Sequence, residues 1–257
     1  MLRNMQHRTR QREWLRPFHE VPRPAARVVC FPHAGGSATT FAPWAPAMPP
    51  EIALYGVQYP GRGDRLGEPM VETVREMSSS VAAELLRMDP TPCALFGHSL
   101  GALVAYETAV LLRDRGREPR HLFVSGSAAP PLAGGGRTHQ ESDEQFWATV
   151  CGLGGTDPEI AANDELRELM LPILRSDIRA SEVYRPAAAG RRPLSCPVRC
   201  YHGDGDRTVD PAPLAAWGEI TTGAFTTRVR PGSHFHITVN PTELADDVVN
   251  SLRRHSS

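Results

Sequence analysis

A serine stands between two glycines in Gly97-His98-Ser99-Leu100-Gly101-Ala102, directly after the apolar run Cys93-Ala94-Leu95-Phe96 and directly before a run with helical spacing. This is the pattern of a nucleophile elbow. The chain leaves a buried strand, turns sharply at the serine and enters a helix, so only small residues can flank the turn without clashing. Such a turn exposes the Ser99 hydroxyl and points the free N–H groups of the helix N-terminus at whatever it attacks. The plainer alternative is a strand-to-helix turn whose serine only caps the helix.

A serine hydroxyl is a weak nucleophile at neutral pH, so the chemistry requires an imidazole base and a carboxylate to orient it, in the chain order serine, acid, histidine. His234, in Pro231-Gly232-Ser233-His234-Phe235, sits after the last predicted strand and before the closing helix, where such a base belongs. His236 is its nearest rival, and its spacing reads as a pocket or packing residue. The acid comes from His202-Gly203-Asp204-Gly205-Asp206-Arg207. Asp206 is the choice, set deeper in the loop behind two glycines that permit a turn. Asp204 stands as the alternative, and Asp210 reads as the N-cap of a helix starting at Pro211. His202 precedes the acid and breaks the order; His98 reads as packing beside Ser99. For the charge that develops on a carbonyl oxygen, the backbone N–H of Leu100 is one donor by construction. Ala34, in the turn Pro32-His33-Ala34-Gly35-Gly36, is the best-placed second donor, unless that segment is a plain glycine turn. Taken alone, these residues describe a serine hydrolase.

The elements that must position them are legible as apolar runs alternating with helical periodicity, which predicts an α/β fold with a mainly parallel sheet covered on both faces. Strands are predicted at 27–31, 52–57, 93–96, 121–125, 197–201 and 226–230. A helix is predicted from about Val71 to Met88, with Val71, Val74, Met77, Val81 and Leu85 on one face. Another follows the elbow as far as Arg113. Between about 128 and 193 the strand-like runs vanish and two helical segments appear, which marks an insertion within a single domain spanning 1–257. The first opens with the capping pair Ser142 and Gln145. The second runs roughly from Asp164 to Val183 with an apolar stripe of Leu166, Leu169, Met170, Ile173, Leu174 and Ile178, and Pro172 should bend it. Two readings of that stripe stay open: it packs on the domain, or it forms a mobile lid over an acyl pocket. Asn240-Pro241-Thr242-Glu243 is the start signal of a closing helix.

A chain of 257 residues with a formal net charge of -1 can bury a sizeable core, and gives no electrostatic reason to expect nucleic acid or an anionic membrane as a general partner. All its Lys/Arg-type charge is arginine, a compositional bias without catalytic meaning. Five cysteines, an odd number, read as thiols in a reducing compartment; Cys196 and Cys200 lack the second ligand pair of a metal site. Met1 to Arg16 lacks the apolar run of a secretory signal and no segment is long and apolar enough for a bilayer, so the expected location is cytoplasmic.

With those residues in place the chain resembles the type II thioesterases that accompany modular polyketide synthases and nonribosomal peptide synthetases, members of the α/β-hydrolase superfamily. The resemblance is carried by the elbow together with Phe31-Pro32-His33-Ala34-Gly35-Gly36-Ser37, Tyr59-Pro60-Gly61-Arg62-Gly63-Asp64-Arg65, Gly203-Asp204-Gly205-Asp206 and Gly232-Ser233-His234-Phe235, in that joint order. It implies an α/β-hydrolase fold with a helical lid, a triad of Ser99, Asp206 and His234, and oxyanion donors at Ala34 and Leu100. It further implies a substrate class: acyl thioesters on the phosphopantetheine arm of acyl or peptidyl carrier proteins, hydrolysed when stalled or misprimed. No metal or cofactor of the protein's own is implied, since the arm belongs to the partner. A carboxylic-ester hydrolase acting on a free small molecule, and a catalytically silent interaction protein on the same fold, are the alternatives.

Overall fold

The computed structural model describes residues 13–155, 158–186 and 191–254. Of the N-terminal stretch from Met1 to Arg16, residues 1–12 lie outside them. Seven strands form one sheet: β1 (Leu15–Pro17), β2 (Ala26–Phe31), β3 (Ile52–Val57), β4 (Cys93–His98), β5 (His121–Ser125), β6 (Val198–Gly203) and β7 (Phe225–Arg230). Their spatial order is β1-β3-β2-β4-β5-β6-β7, and every neighbouring pair is parallel except β1 with β3. β3 and β5 fall at their predicted bounds. β1 was not legible, because three residues are too few for a pattern; it is held by register with β3 and by the Glu84 carboxylate, which accepts the Trp14 and Leu15 N–H groups.

The central strands are buried along their length and show no alternation, as strands covered on both faces must. On one face, Val29, Phe31 and Leu95 pack with helix α1 (Val74–Arg87) and helix α2 (Leu100–Arg113). On the other, Val28, Cys30 and Phe96 meet Phe41 and Trp44 of a 3-10 segment and the apolar side of α7 (Pro241–Arg254). α1 buries Val74, Met77, Val81 and Leu85 of the face read from the sequence, whereas Val71 precedes the helix, which begins only after Thr73, whose side-chain oxygen accepts the Glu76 N–H. Asn240, just before α7, has φ 47°, a left-handed conformation that asparagine adopts more readily than most residues.

The segment between β5 and β6 carries α3 (Asp143–Gly152), α4 (Pro158–Ala161) and α5 (Asp164–Glu182), followed later by the short α6 (Pro211–Ala215). Ser142 caps α3 by accepting the Gln145 N–H, and Asn163 caps α5 by accepting that of Leu166. α5 continues through Pro172. Because β2, β4, β5, β6 and β7 all run the same way, the loops that leave their carboxyl ends gather at one edge of the sheet. Ligands of open parallel sheets bind at that edge.

Candidate active site

Ser99 follows β4 and precedes α2 with φ 55° and ψ −121°, a sparsely populated conformation that costs about 1–3 kcal/mol unless its surroundings enforce it. The surroundings do: the Ser99 N–H donates to the Ser125 carbonyl at 2.8 Å, and the Ala102 N–H donates to the Ser99 carbonyl at 2.9 Å. The flanking glycines answer to close approach. A Cβ on Gly97 would stand 2.1 Å from the Gly101 carbonyl oxygen, and one on Gly101 would stand 2.1 Å from that of Phe31.

His234 and Asp206 arrive on two loops stitched to each other. The Asp204 N–H donates to the Arg230 carbonyl, the Gly205 N–H donates to the Gly232 carbonyl, and Asp204 Oδ1 accepts the Gly232 N–H at 2.9 Å. Gly203 is required by closeness: a Cβ there would lie 2.3 Å from the Gly232 oxygen. On this frame His234 Nδ1 lies 3.0 Å from Asp206 Oδ2. Thr208, which the sequence did not single out, completes the arrangement. Its N–H and hydroxyl both donate to Asp206 Oδ1, at 2.9 and 2.6 Å, and its Oγ1 lies 3.0 Å from His234 Nδ1. Burial alone would raise the Asp206 pKa, yet the hydrogen bonds from His234 and Thr208 outweigh it and hold the carboxyl down at about 2. Asp204 is exposed and serves the loop frame, while Asp210 occupies the N-cap position of α6 without a side-chain cap bond.

Ser99 and His234 line one cavity of about 800 Å³, together with Ala34 and Leu100. Among the described residues no hydrogen bond joins the Ser99 hydroxyl to the imidazole; the two meet as walls of a shared space, an arrangement that a bound substrate can tighten. Neither the Ala34 nor the Leu100 N–H has a hydrogen-bond partner among the described residues, and both residues line the cavity. The far walls are mostly apolar and include Leu103, Trp147, Val150, Met170, Leu174 and Ile178. The stripe on α5 therefore divides: Ile173 is buried, Leu169 is exposed, and Leu166, Met170, Leu174 and Ile178 face the cavity.

A second serine–histidine contact lies behind the first. Ser125 Oγ is 3.0 Å from both His98 Nδ1 and His236 Nε2, but Ser125, His98 and His236 are fully buried and no substrate reaches them. Burial, helped by the charges of His234, His33 and His236, pushes the His98 pKa well below its ordinary value. Burial and then Arg230 lower that of His236 to about 4. Both rings are thus neutral at neutral pH; the His98 ring packs beside that of His234, with centroids 5.0 Å apart, and beside that of His236, with centroids 5.7 Å apart. His202 is half-buried on β6 and takes no part.

An elbow serine, an imidazole oriented by a carboxylate, two unengaged N–H donors and an apolar chamber together suit transfer of an acyl group to the serine and then to water. Comparison with known proteins agrees. Residues 26–252 match the sequence profile of the family described as Thioesterase domain. The chain is 42% identical over 243 residues to Thioesterase PikA5 of Streptomyces venezuelae, covering 93% of this chain and 85% of that one. Among solved structures it superposes on the type II thioesterase BorB of the borrelidin biosynthetic cluster with a TM-score of 0.85 at 36% identity, covering 93% and 97% of the two chains. YbtT, a type II thioesterase from the yersiniabactin NRPS/PKS pathway, gives a TM-score of 0.85 at 31% identity, covering 95% and 100%.

Proposed function

The chain belongs to the thioesterase domain family, and from that membership we propose that it is a type II editing thioesterase of polyketide or nonribosomal peptide assembly lines. It hydrolyses acyl thioesters on the phosphopantetheine arm of acyl or peptidyl carrier proteins and so returns a blocked arm to its free thiol. One observation carries the reading: Ser99, His234, Ala34 and Leu100 share a single cavity whose remaining walls are largely aliphatic and aromatic.

In the proposed mechanism the Ser99 hydroxyl attacks the thioester carbonyl carbon while His234 Nε2 takes its proton. The oxygen that becomes negative is met by the Ala34 and Leu100 N–H groups, donors worth about 3–4 kcal/mol each in comparable sites. When the intermediate collapses, the carbon–sulfur bond breaks and the imidazolium gives its proton to the departing sulfur, which leaves as the pantetheine thiol. Water then attacks the acyl-serine ester, with His234 first accepting its proton and then returning one to Ser99 Oγ as the carboxylic acid departs. Asp206, kept ionised by His234 and Thr208, fixes the tautomer with the proton on Nδ1 and stabilises the imidazolium. We assign the helices between β5 and β6 as the lid of the acyl chamber, because α3 and α5 supply its apolar wall. The steps call on no metal or redox group. Five free thiols suit a reducing, cytoplasmic setting shared with the carrier proteins, and among the described residues no helix is long and apolar enough to cross a membrane.

The test is mass spectrometry of a panel of acylated carrier proteins after incubation with the enzyme, set beside matched oxygen esters. Deacylated carriers with slower cleavage of the esters are expected. Turnover of the oxygen esters with every carrier thioester intact would overturn the assignment in favour of an ester hydrolase.

A further inference from the structure

The Tyr59-Pro60-Gly61-Arg62-Gly63 loop has no part in the mechanism above, yet its arginine makes one of the most deeply buried ion pairs in the molecule. Arg62 is 4% exposed and Asp177, on α5, is 0% exposed. Arg62 Nη1 binds Asp177 Oδ2, and Nη2 binds Oδ1 at 2.9 Å, a bidentate fork. Asp177 Oδ2 also accepts the Gly35 N–H at 2.7 Å. An acid inside an otherwise apolar stripe is costly to bury, and a buried pair is by itself weak grounds for a stabilising role. What it holds is more informative.

Gly35 belongs to the turn that carries Ala34. In that turn the Gly36 N–H donates to the His33 carbonyl at 2.9 Å, and His33 Nδ1 lies 2.9 Å from the Ala34 carbonyl oxygen. With the Gly35 N–H given to Asp177, the N–H of Ala34 is the one in the run from Ala34 to Gly36 without a hydrogen-bond partner among the described residues, and Ala34 lines the cavity. α5 also presses on the same turn: a Cβ on Gly35, at φ +74°, would stand 2.6 Å from Leu174 Cδ2. The Arg62 side of the pair is anchored in turn, since the Gln58 amide donates to the Arg62 carbonyl at 2.9 Å and accepts the Ala38 N–H at 3.0 Å.

We infer that Asp177 is a positioning residue for the oxyanion site. Its carboxylate orients the Gly35 peptide so that the neighbouring Ala34 N–H points at the substrate carbonyl, and Arg62 cancels a charge that would otherwise oppose the developing oxyanion. The inserted helix thereby completes the catalytic turn as well as walling the acyl chamber. This inference rests on the acyl-transfer reading of the site.

The test compares wild type with Asp177→Asn and with the double variant Asp177→Asn/Arg62→Gln, in which neither member is left as an unpaired charge. Rates are normalised to active serine counted with a fluorophosphonate. Two ligands are titrated: octylboronic acid, which forms a tetrahedral adduct on the serine, and octanoate, which does not. The expected result is a fall in kcat of roughly 10- to 100-fold, part of the loss seen when an oxyanion donor is removed outright. KM should stay within about threefold, boronate affinity should fall by a factor similar to that of kcat, and octanoate affinity should hold. Full kcat per active serine, or equal losses for boronate and octanoate, overturns the inference, as does failure of both variants to fold, which makes the pair structural. A wild type inert on every thioester sinks the proposed function instead, and the boronate comparison still decides the role of Asp177.

Discussion

Replacing Gly101 by alanine sets one methyl group against the backbone that links the elbow to the oxyanion turn. The new carbon would stand 2.1 Å from the Phe31 oxygen, 2.6 Å from the Phe31 carbonyl carbon and 2.7 Å from the Pro32 oxygen, where ordinary contact begins near 3.4 Å. All three atoms are backbone, so no side chain can swing aside and a gap of about 1 Å must open between α2 and the end of β2. Overpacking of this kind costs about 1–3 kcal/mol. For a domain of this size that is a fall in melting temperature of about 2–12 °C. The same displacement moves the Leu100 N–H, at the head of α2, away from the Ala34 N–H, which follows β2 by way of Pro32 and His33. A misplacement near 1 Å in a catalytic constellation costs about 10²-fold in rate. The assay is thermal unfolding together with kcat per titrated active serine, with Gly67→Ala as control because a Cβ there meets nothing within 4 Å. If Gly101→Ala matched that control in both stability and kcat, the steric coupling of elbow and oxyanion turn would be wrong.

Asp206→Asn should lower kcat by several orders of magnitude, because an amide can favour the wrong imidazole tautomer; Asp204→Asn should be mild, because its remaining oxygen can still accept the Gly232 N–H. Steady-state rates check both, and the reverse ranking would reassign the acid. With Asp206 held at about 2, the acid limb of kcat/KM in wild type should fall with a single proton and should not report the carboxylate. Stability should also decline on mild acidification. The His236 pKa is lowered from 6.5 to about 4 in the fold, so between those values the unfolded chain binds the extra proton. Stability is therefore complete above pH 6.5 and falls by about 3 kcal/mol as pH drops toward 4, with buried His98 acting in the same direction. Urea midpoints at pH 7.5, 5.5 and 4.5 measure it; His236→Asn should be less stable at pH 7.5 but flatter across the series, and an unchanged slope would contradict the assignment.

The parts of the site that were legible in the sequence are those whose constraint is local. The elbow is written in six consecutive residues, because the clash that demands Gly97 and Gly101 arises within one strand-turn-helix unit and its neighbour strand. β3 and β5 could be bounded because strands buried on both faces are continuous apolar runs ended by turn residues. Thr208 escaped notice because it is an ordinary loop threonine until His234, 26 residues away, closes onto it. The pairing of Asp177 with Arg62 escaped for the same reason on a larger scale. Their partnership spans 115 positions and the contact with Gly35 spans 142, so no window of sequence contains the reason for a carboxylate in an apolar stripe. The fate of that stripe was equally beyond pattern reading, since helical period shows which residues share a face but not that the face looks into a cavity at Met170 and to solvent at Leu169.

The central claim is that Ser99 carries the acyl group between carrier and water. An acyl-carrier thioester mixed with the enzyme, quenched in acid within the first turnovers and digested for mass spectrometry, should place the acyl mass on the peptide containing Ser99, and Ser99→Ala should show neither that adduct nor turnover while keeping its fold. Undiminished hydrolysis by Ser99→Ala, or an acyl mass on any other residue, would contradict it.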